Sequence, residues 1–183
     1  LIISLADADP DVRASAATDI FRRGADMIAP ILRTWQADPD TAGYFVLIDG
    51  KPQITVGIAV QPGRFDQICA ANGSPDLAEV PADQDAKEFE LQFPGGVRID
   101  VLTSRDPAAS GAIARYLQRF SEGIQQIEVE VNQVDRATES LGRKFGLQPI
   151  YPATRPGANG TRVNFFLVSS PAGGKILVEL VEV

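Results

Sequence analysis

The chain has 183 residues, 44% of them hydrophobic and 22% charged, a balance that buries a real core and excludes a largely disordered polymer. Its net charge of -7 and pI near 4.6 argue against nucleic-acid binding, which draws its affinity mainly from clustered Lys and Arg. No stretch is apolar for the roughly 18 residues a membrane span requires, and the lone cysteine, Cys69, cannot form an internal disulfide.

The chain opens at Leu1 without a Met, which leaves room for a trimmed upstream segment. No charged stretch followed by an apolar run and a small-residue cleavage site marks a secretory signal, so the expected address is the cytoplasm. From Asp9 to Gln36 apolar residues recur at helical spacing, with Val12, Ala16, Ile20 and Phe21 on one stripe and Ile28, Ile31, Leu32 and Trp35 on a second. Asp9 can cap the first helix with Pro10 at its first position, and Gly24 can end it, so residues 1–42 read as a helical hairpin. The stretch DADPDVRASAATDIFRRGADMIAPIL resembles a single HEAT-type repeat. Such repeats bury a continuous core only in about three copies, so the hairpin is expected to lean on the following domain or on a protein partner, a second copy of the chain included.

Residues 43–52 read as a strand, GYFVLID, closed by a Gly50-Lys51-Pro52 break. Residues 53–183 then state one pattern twice. The first copy, 53–104, offers a strand ITVGIAV, a helix from Pro62 to Ala71, and strands KEFELQF and VRIDVLT. The second, 123–183, offers QIEVEV, a helix from Val134 to Phe145, a short strand near Pro149 to Tyr151, then TRVNFFLV and KILVELV. Pro107 to Phe120 supplies a helical connector between them, within residues 105–122. Gly157-Ala158-Asn159-Gly160 and Pro171-Ala172-Gly173-Gly174 read as turns, the first ending in an Asn-Gly pair that tolerates positive φ. The expected fold class is α+β: two βαβββ modules whose open faces form a cup-shaped cavity, preceded by the α-helical hairpin. The length after Pro52 leaves room for both modules within one chain.

The segment GIQQIEVEV, amphipathic helix, GANGTRVNFFLV and KILVELVEV resembles the second half of a methylmalonyl-CoA epimerase or glyoxalase-like protein of the vicinal-oxygen-chelate superfamily, to which the bleomycin-resistance proteins are also similar. The resemblance covers roughly residues 53 to 183. It implies that each module contributes one metal ligand from its first strand and one from its last, with histidine usual at the two first-strand positions. Pairing the repeats puts Thr55 opposite Gln126 and Asp100 opposite Glu179, so these four are the family-equivalent metal positions. The chain has no histidine. An oxygen set of this kind holds no ion or holds weakly a divalent cation such as Mg, Mn or Ca, in preference to Zn or Ni.

Glu128 lies two residues from Gln126 on the same strand face. Glu179, Asp100 and Glu128 are therefore the candidate catalytic acids, and acids crowded in a cavity titrate high. Glu128 and Asp100 have a plainer reading, which is weaker for Glu179 because the LVELVE around it is apolar on both faces. Glu128 and Glu130 fit a solvated face over buried Ile127, Val129 and Val131, and Asp100 is placed to bridge Arg98. Arg155, Arg162, Arg143 and Lys144 read as surface charges. The resemblance implies a lyase or isomerase that moves a proton alpha to a carbonyl of a small-molecule ligand. Two alternatives stay open: a non-catalytic small-molecule-binding module of the same fold, and a protein-interaction module acting through the helical hairpin.

Overall fold

The computed structural model describes residues 1–106, 108, 110–170 and 173–183. Two residues at the start of the expected connector, Pro107 and Ala109, lie outside the described residues, as does the Pro171-Ala172 half of the second expected turn. In chain order the first elements are α1 (Pro10–Gln36), α2 (Pro39–Ala42), β1 (Leu47–Ile48), β2 (Lys51–Pro52), β3 (Ile54–Ala59) and α3 (Pro62–Ala71). They are followed by β4 (Lys87–Phe93), β5 (Val97–Thr103), α4 (Ala112–Phe120), β6 (Gly123–Val131), α5 (Val134–Phe145), β7 (Arg155–Pro156), β8 (Arg162–Ser169) and β9 (Lys175–Glu182).

The expected helical hairpin is instead one helix. Asp9 caps α1 as anticipated, its carboxylate accepting from the Asp11 amide at 2.9 Å, but the helix runs through Gly24 to Gln36. The reason lies in the spacing. Ile20, Gly24 and Ile28 are four apart and all buried, so the two expected stripes join into one face with Ala16, Ile31 and Trp35. A glycine inside a helix costs about 1 kcal/mol relative to alanine, less than burial of that continuous face returns. Val12, placed on the stripe by the sequence, is exposed. With α1 unbroken, residues 10–36 form one helix in place of the two expected of the HEAT-like hairpin.

The chain divides into two compact units, Leu1–Gly24 with Thr55–Gln125 and Ala25–Ile54 with Gln126–Val183. In the first, β5 pairs antiparallel with β4 and parallel with β3. Pro94, Gly95 and Gly96 join β4 to β5, both glycines with positive φ, and this turn fixes the register that sets Glu90 opposite Asp100. Phe89 and Leu91 point to the face covered by α3, where Phe65 meets Phe89 edge-on with centroids 4.7 Å apart. On the other face, Ile113 and Leu117 of α4 cover the Ala59 and Leu102 end. The rest of that face carries Thr55, Asp100, Arg98, Glu88 and Glu90, by the two-residue alternation of the strands.

In the second unit, β6 runs parallel to β9, β9 antiparallel to β8, and β8 antiparallel to β7. Helix α5 buries Val134, Ala137 and Leu141 on the face lined by Ile127, Val129, Val178, Leu180 and Phe166. Segment 43–53 adds to this unit differently from expectation. Instead of a strand over 43–49, Phe45 bridges Val131, and Leu47–Ile48 and Lys51–Pro52 fold back on each other around Asp49 and Gly50, both at positive φ. Near Pro149 the expected strand is a single bridge to Phe166, and the paired residues come later, at β7. The GANG turn holds: Asn159 and Gly160 have φ of 53° and 74°. The first copy thus contributes three strands and the second four.

Candidate functional site

The two copies share one internal register, which tests the pairing of positions read from the repeat. In the first unit Gly57 lies beside Asp100, and in the second Glu128 lies beside Glu179. Thr55 and Gln126 are each two residues before those partners, so they occupy equivalent places, as do Asp100 and Glu179. Thr55, Gln126, Glu179 and Asp100 are 1%, 7%, 8% and 9% exposed. Polar groups so buried are normally hydrogen-bonded, and the partners define what the site can do.

In the second unit the structure brings together Gln126, Glu128 and Glu179. The Gln126 amide nitrogen donates to Glu179 Oε2 at 2.6 Å and to Glu128 Oε1 at 3.1 Å. Ile127, Val129 and Val131 are buried on the opposite face, as the alternation requires, while Glu128 and Glu130 are half-buried. Phe165 is the cross-strand partner of Glu179 on β8. Its ring meets Tyr151 edge-on at 6.0 Å, and the Arg155 guanidinium lies 4.3 Å over the Tyr151 ring. Arg155 is therefore more than the surface charge expected of it. Arg162 meets that expectation, pairing with Asp135 and with Glu182 at 2.9 Å, and Lys144 holds Asp38 and Asp40 at 3.3 and 2.8 Å.

In the first unit Asp100 lies opposite Glu90 and diagonal to Glu88. Arg98 donates to Glu90 at 3.0 Å. Burial, reinforced by the Asp100 charge, pushes the Glu88 carboxyl up to about 7 from an ordinary 4.5. A carboxyl balanced near neutrality can both take and return a proton, which Glu88 offers and an ordinary surface glutamate does not. Sequence reading missed Glu88. The signal was present in the three-residue Pro94-Gly95-Gly96 turn, which fixes the β4 to β5 register and puts Glu88, Glu90 and Asp100 on one face.

The donor chemistry fits a histidine-held metal poorly. The chain has no histidine, and Gln126 turns N–H groups rather than a lone pair toward its neighbouring acids. Among the described residues no group of three His, Cys, Asp or Glu is placed to hold an ion. Among them, too, no helix is long and apolar enough to cross a membrane.

No protein-family model matches the sequence, and comparison with curated proteins finds no significant match. Solved structures do match. Methylmalonyl-CoA epimerase from Mycobacterium tuberculosis is similar at 31% identity and a TM-score of 0.57, over 75% of this chain and 92% of that one. A hypothetical protein from Bacillus halodurans is similar at 28% identity and a TM-score of 0.57, over 70% of this chain and 91% of that one. Streptomyces coelicolor methylmalonyl-CoA epimerase, in complex with 2-nitronate-propionyl-CoA, shares the fold at 22% identity and a TM-score of 0.55, over 70% of this chain and 94% of that one.

Proposed function

The chain belongs to the vicinal-oxygen-chelate superfamily, beside the methylmalonyl-CoA epimerases, and from that membership we propose that it is an acid–base isomerase or lyase moving a proton alpha to a carbonyl. The observation that carries this reading is the half-buried Glu88 beside Asp100, with a carboxyl pushed up to about 7. With Asp100 charged beside it, the Glu88 carboxyl changes protonation near neutral pH, the range in which a group can both accept the alpha proton and give it back. Glu88 takes the alpha proton and returns it. Gln126 holds Glu128 and Glu179 in fixed orientation, which makes them the second acid group of the chain. Because the residues do not fit a histidine-held metal, no step is assigned to one.

The first compound to try is methylmalonyl-CoA, the substrate in the name of the Mycobacterium tuberculosis neighbour. Incubation in D2O with proton NMR reads the alpha hydrogen directly. Its exchange in the presence of the protein, and the loss of that exchange in Glu88→Gln, is the expected result. A second reading, a binding module without chemistry, is favoured by one observation: the chain has no histidine, the residue usual at the two first-strand metal positions of the superfamily. Binding of the thioester by calorimetry with no exchange at all would put that reading first.

A further inference from the structure

In the first unit, the sheet face that carries Glu88 ends in a small apolar cluster. Glu88 is the cross-strand partner of Leu102, and Leu102 packs with Ala59, Ala86, Ile113 and Leu117, with Val80 against them. Ala86 lies two residues before Glu88, and the Glu88 carbonyl accepts from the Ala78 amide at 2.9 Å. Segment 78–86 and helix α4 thus stand beside the row that carries Glu88. One side chain meets both. Asp85 Oδ2 accepts from the Ser104 hydroxyl at 2.6 Å, and Asp85 Oδ1 from the Asp106 amide at 3.2 Å. Asp85 Cβ and Oδ2 also lie 3.0 and 3.1 Å from where a Cβ would stand on Gly111, the residue that precedes α4. The exit of β5, the start of α4 and the end of segment 78–86 therefore meet at one carboxylate.

We propose that Asp85 is a positioning residue for Glu88, holding segment 78–86 and α4 in the places that fix the Glu88 carboxyl. The proposal rests on the reading of Glu88 as the proton-transfer group, and its test separates the two. Ser104 is buried, and its single hydroxyl hydrogen lies between two acceptors, Asp85 Oδ2 and the Asp106 carbonyl at 2.7 Å. An asparagine in place of Asp85 can donate to Ser104 Oγ, which leaves that hydrogen to Asp106, while its oxygen still accepts from the Asp106 amide. Asp85→Asn thus removes the charge and keeps the links. Asp85→Ala removes both.

The test measures amide hydrogen exchange without substrate, and alpha-hydrogen exchange of methylmalonyl-CoA in D2O, for the unmodified protein and both variants. In Asp85→Ala the Ala78 amide, bonded to the Glu88 carbonyl, should exchange at least about tenfold faster, while the Phe89 and Val101 amides in the β4 and β5 pair keep their rates. The kcat for alpha exchange should fall about tenfold or more with KM little changed, as a displaced group requires and lost binding does not. Asp85→Asn should stay within about twofold of the unmodified protein on each measure. If Asp85→Ala does not fold, Ser104→Ala takes its place with the same expectations. The inference is overturned if the folded variant leaves the Ala78 rate unchanged, or if Phe89 and Val101 accelerate as much as Ala78. It is overturned equally if Asp85→Asn matches Asp85→Ala, which would assign the effect to charge. If the unmodified protein does not exchange the alpha hydrogen, the reading of Glu88 fails and the Ala78 rates alone decide on Asp85.

Discussion

Glu88 on β4 sits two residue pairs along from the directly opposed Glu90 and Asp100, on the same sheet face as Asp100, and shares its electrostatic surroundings. Burial and the Asp100 charge together raise its carboxyl to about 7. An acid raised in the folded state binds its proton more tightly there than in the unfolded chain, so the stability it supports is present below pH 4.5 and is lost as pH rises through 7. Glu88→Gln should remove this slope. The variant should exceed the parent by about 1 to 3 kcal/mol at pH 8 and match it near pH 4, read by urea unfolding at a series of pH values.

Asp100→Asn separates the two causes. Removing the neighbouring charge should bring the Glu88 carboxyl down toward, but not to, its ordinary value, because burial is the larger cause and remains. A carbon-13 titration of the glutamate carboxyls reads the change. No movement would mean that Asp100 is not the charge Glu88 senses.

A third prediction concerns the turn that leads into β8. A Cβ placed on Gly157 would come within 2.6 Å of both Thr161 Oγ1 and Val163 Cγ1, and Val163 is buried. Gly157→Ala should therefore cost about 1 to 3 kcal/mol through overpacking, whereas Gly43→Ala, with open space around it, should be close to neutral. Thermal melting of the pair distinguishes crowding from a general intolerance of the glycines.

A fourth lies at the Thr41 and Ser140 hydroxyls, 2.9 Å apart and buried. Thr41 also donates to Asp38 at 3.2 Å, so its hydroxyl keeps a partner when Ser140 is removed. Thr41→Val should cost about 1 to 3 kcal/mol by leaving the Ser140 hydroxyl buried alone, and Ser140→Ala less than about 1. Equal costs in denaturant unfolding would contradict this asymmetry.

Most of the architecture is legible in residue order because its signals are local. KEFELQF alternates throughout and VRIDVLT over its first five residues, a glycine turn joins them, and they form β4 and β5 over the very residues read as strands. Helices α3 and α5 follow their apolar spacing in the same way. Gly24 misleads because a glycine between two apolar stripes reads as a stop, and only the buried face of α1 shows that it continues the period. Glu88 is hidden for a different reason: its raised affinity for a proton depends on the β4 to β5 register and on burial, neither of which alternation measures. The repeat marks Gln126 and Glu179 as two members of one ligand set, and the structure has the Gln126 amide donating to Glu179. That its nitrogen faces the acids follows from side-chain geometry.

The interleaved division of the chain sets an order of assembly during synthesis. Residues 25–54 emerge from the ribosome before their own unit exists, and Thr41 waits 99 residues for Ser140. At about 5 to 20 residues per second, that stretch stays uncommitted for several seconds while β3, α3, β4 and β5 are completed. Half of the molecule is thus obliged to fold after its own sequence has been made, and the edge left open by segment 44–53 is available to wrong partners for that interval.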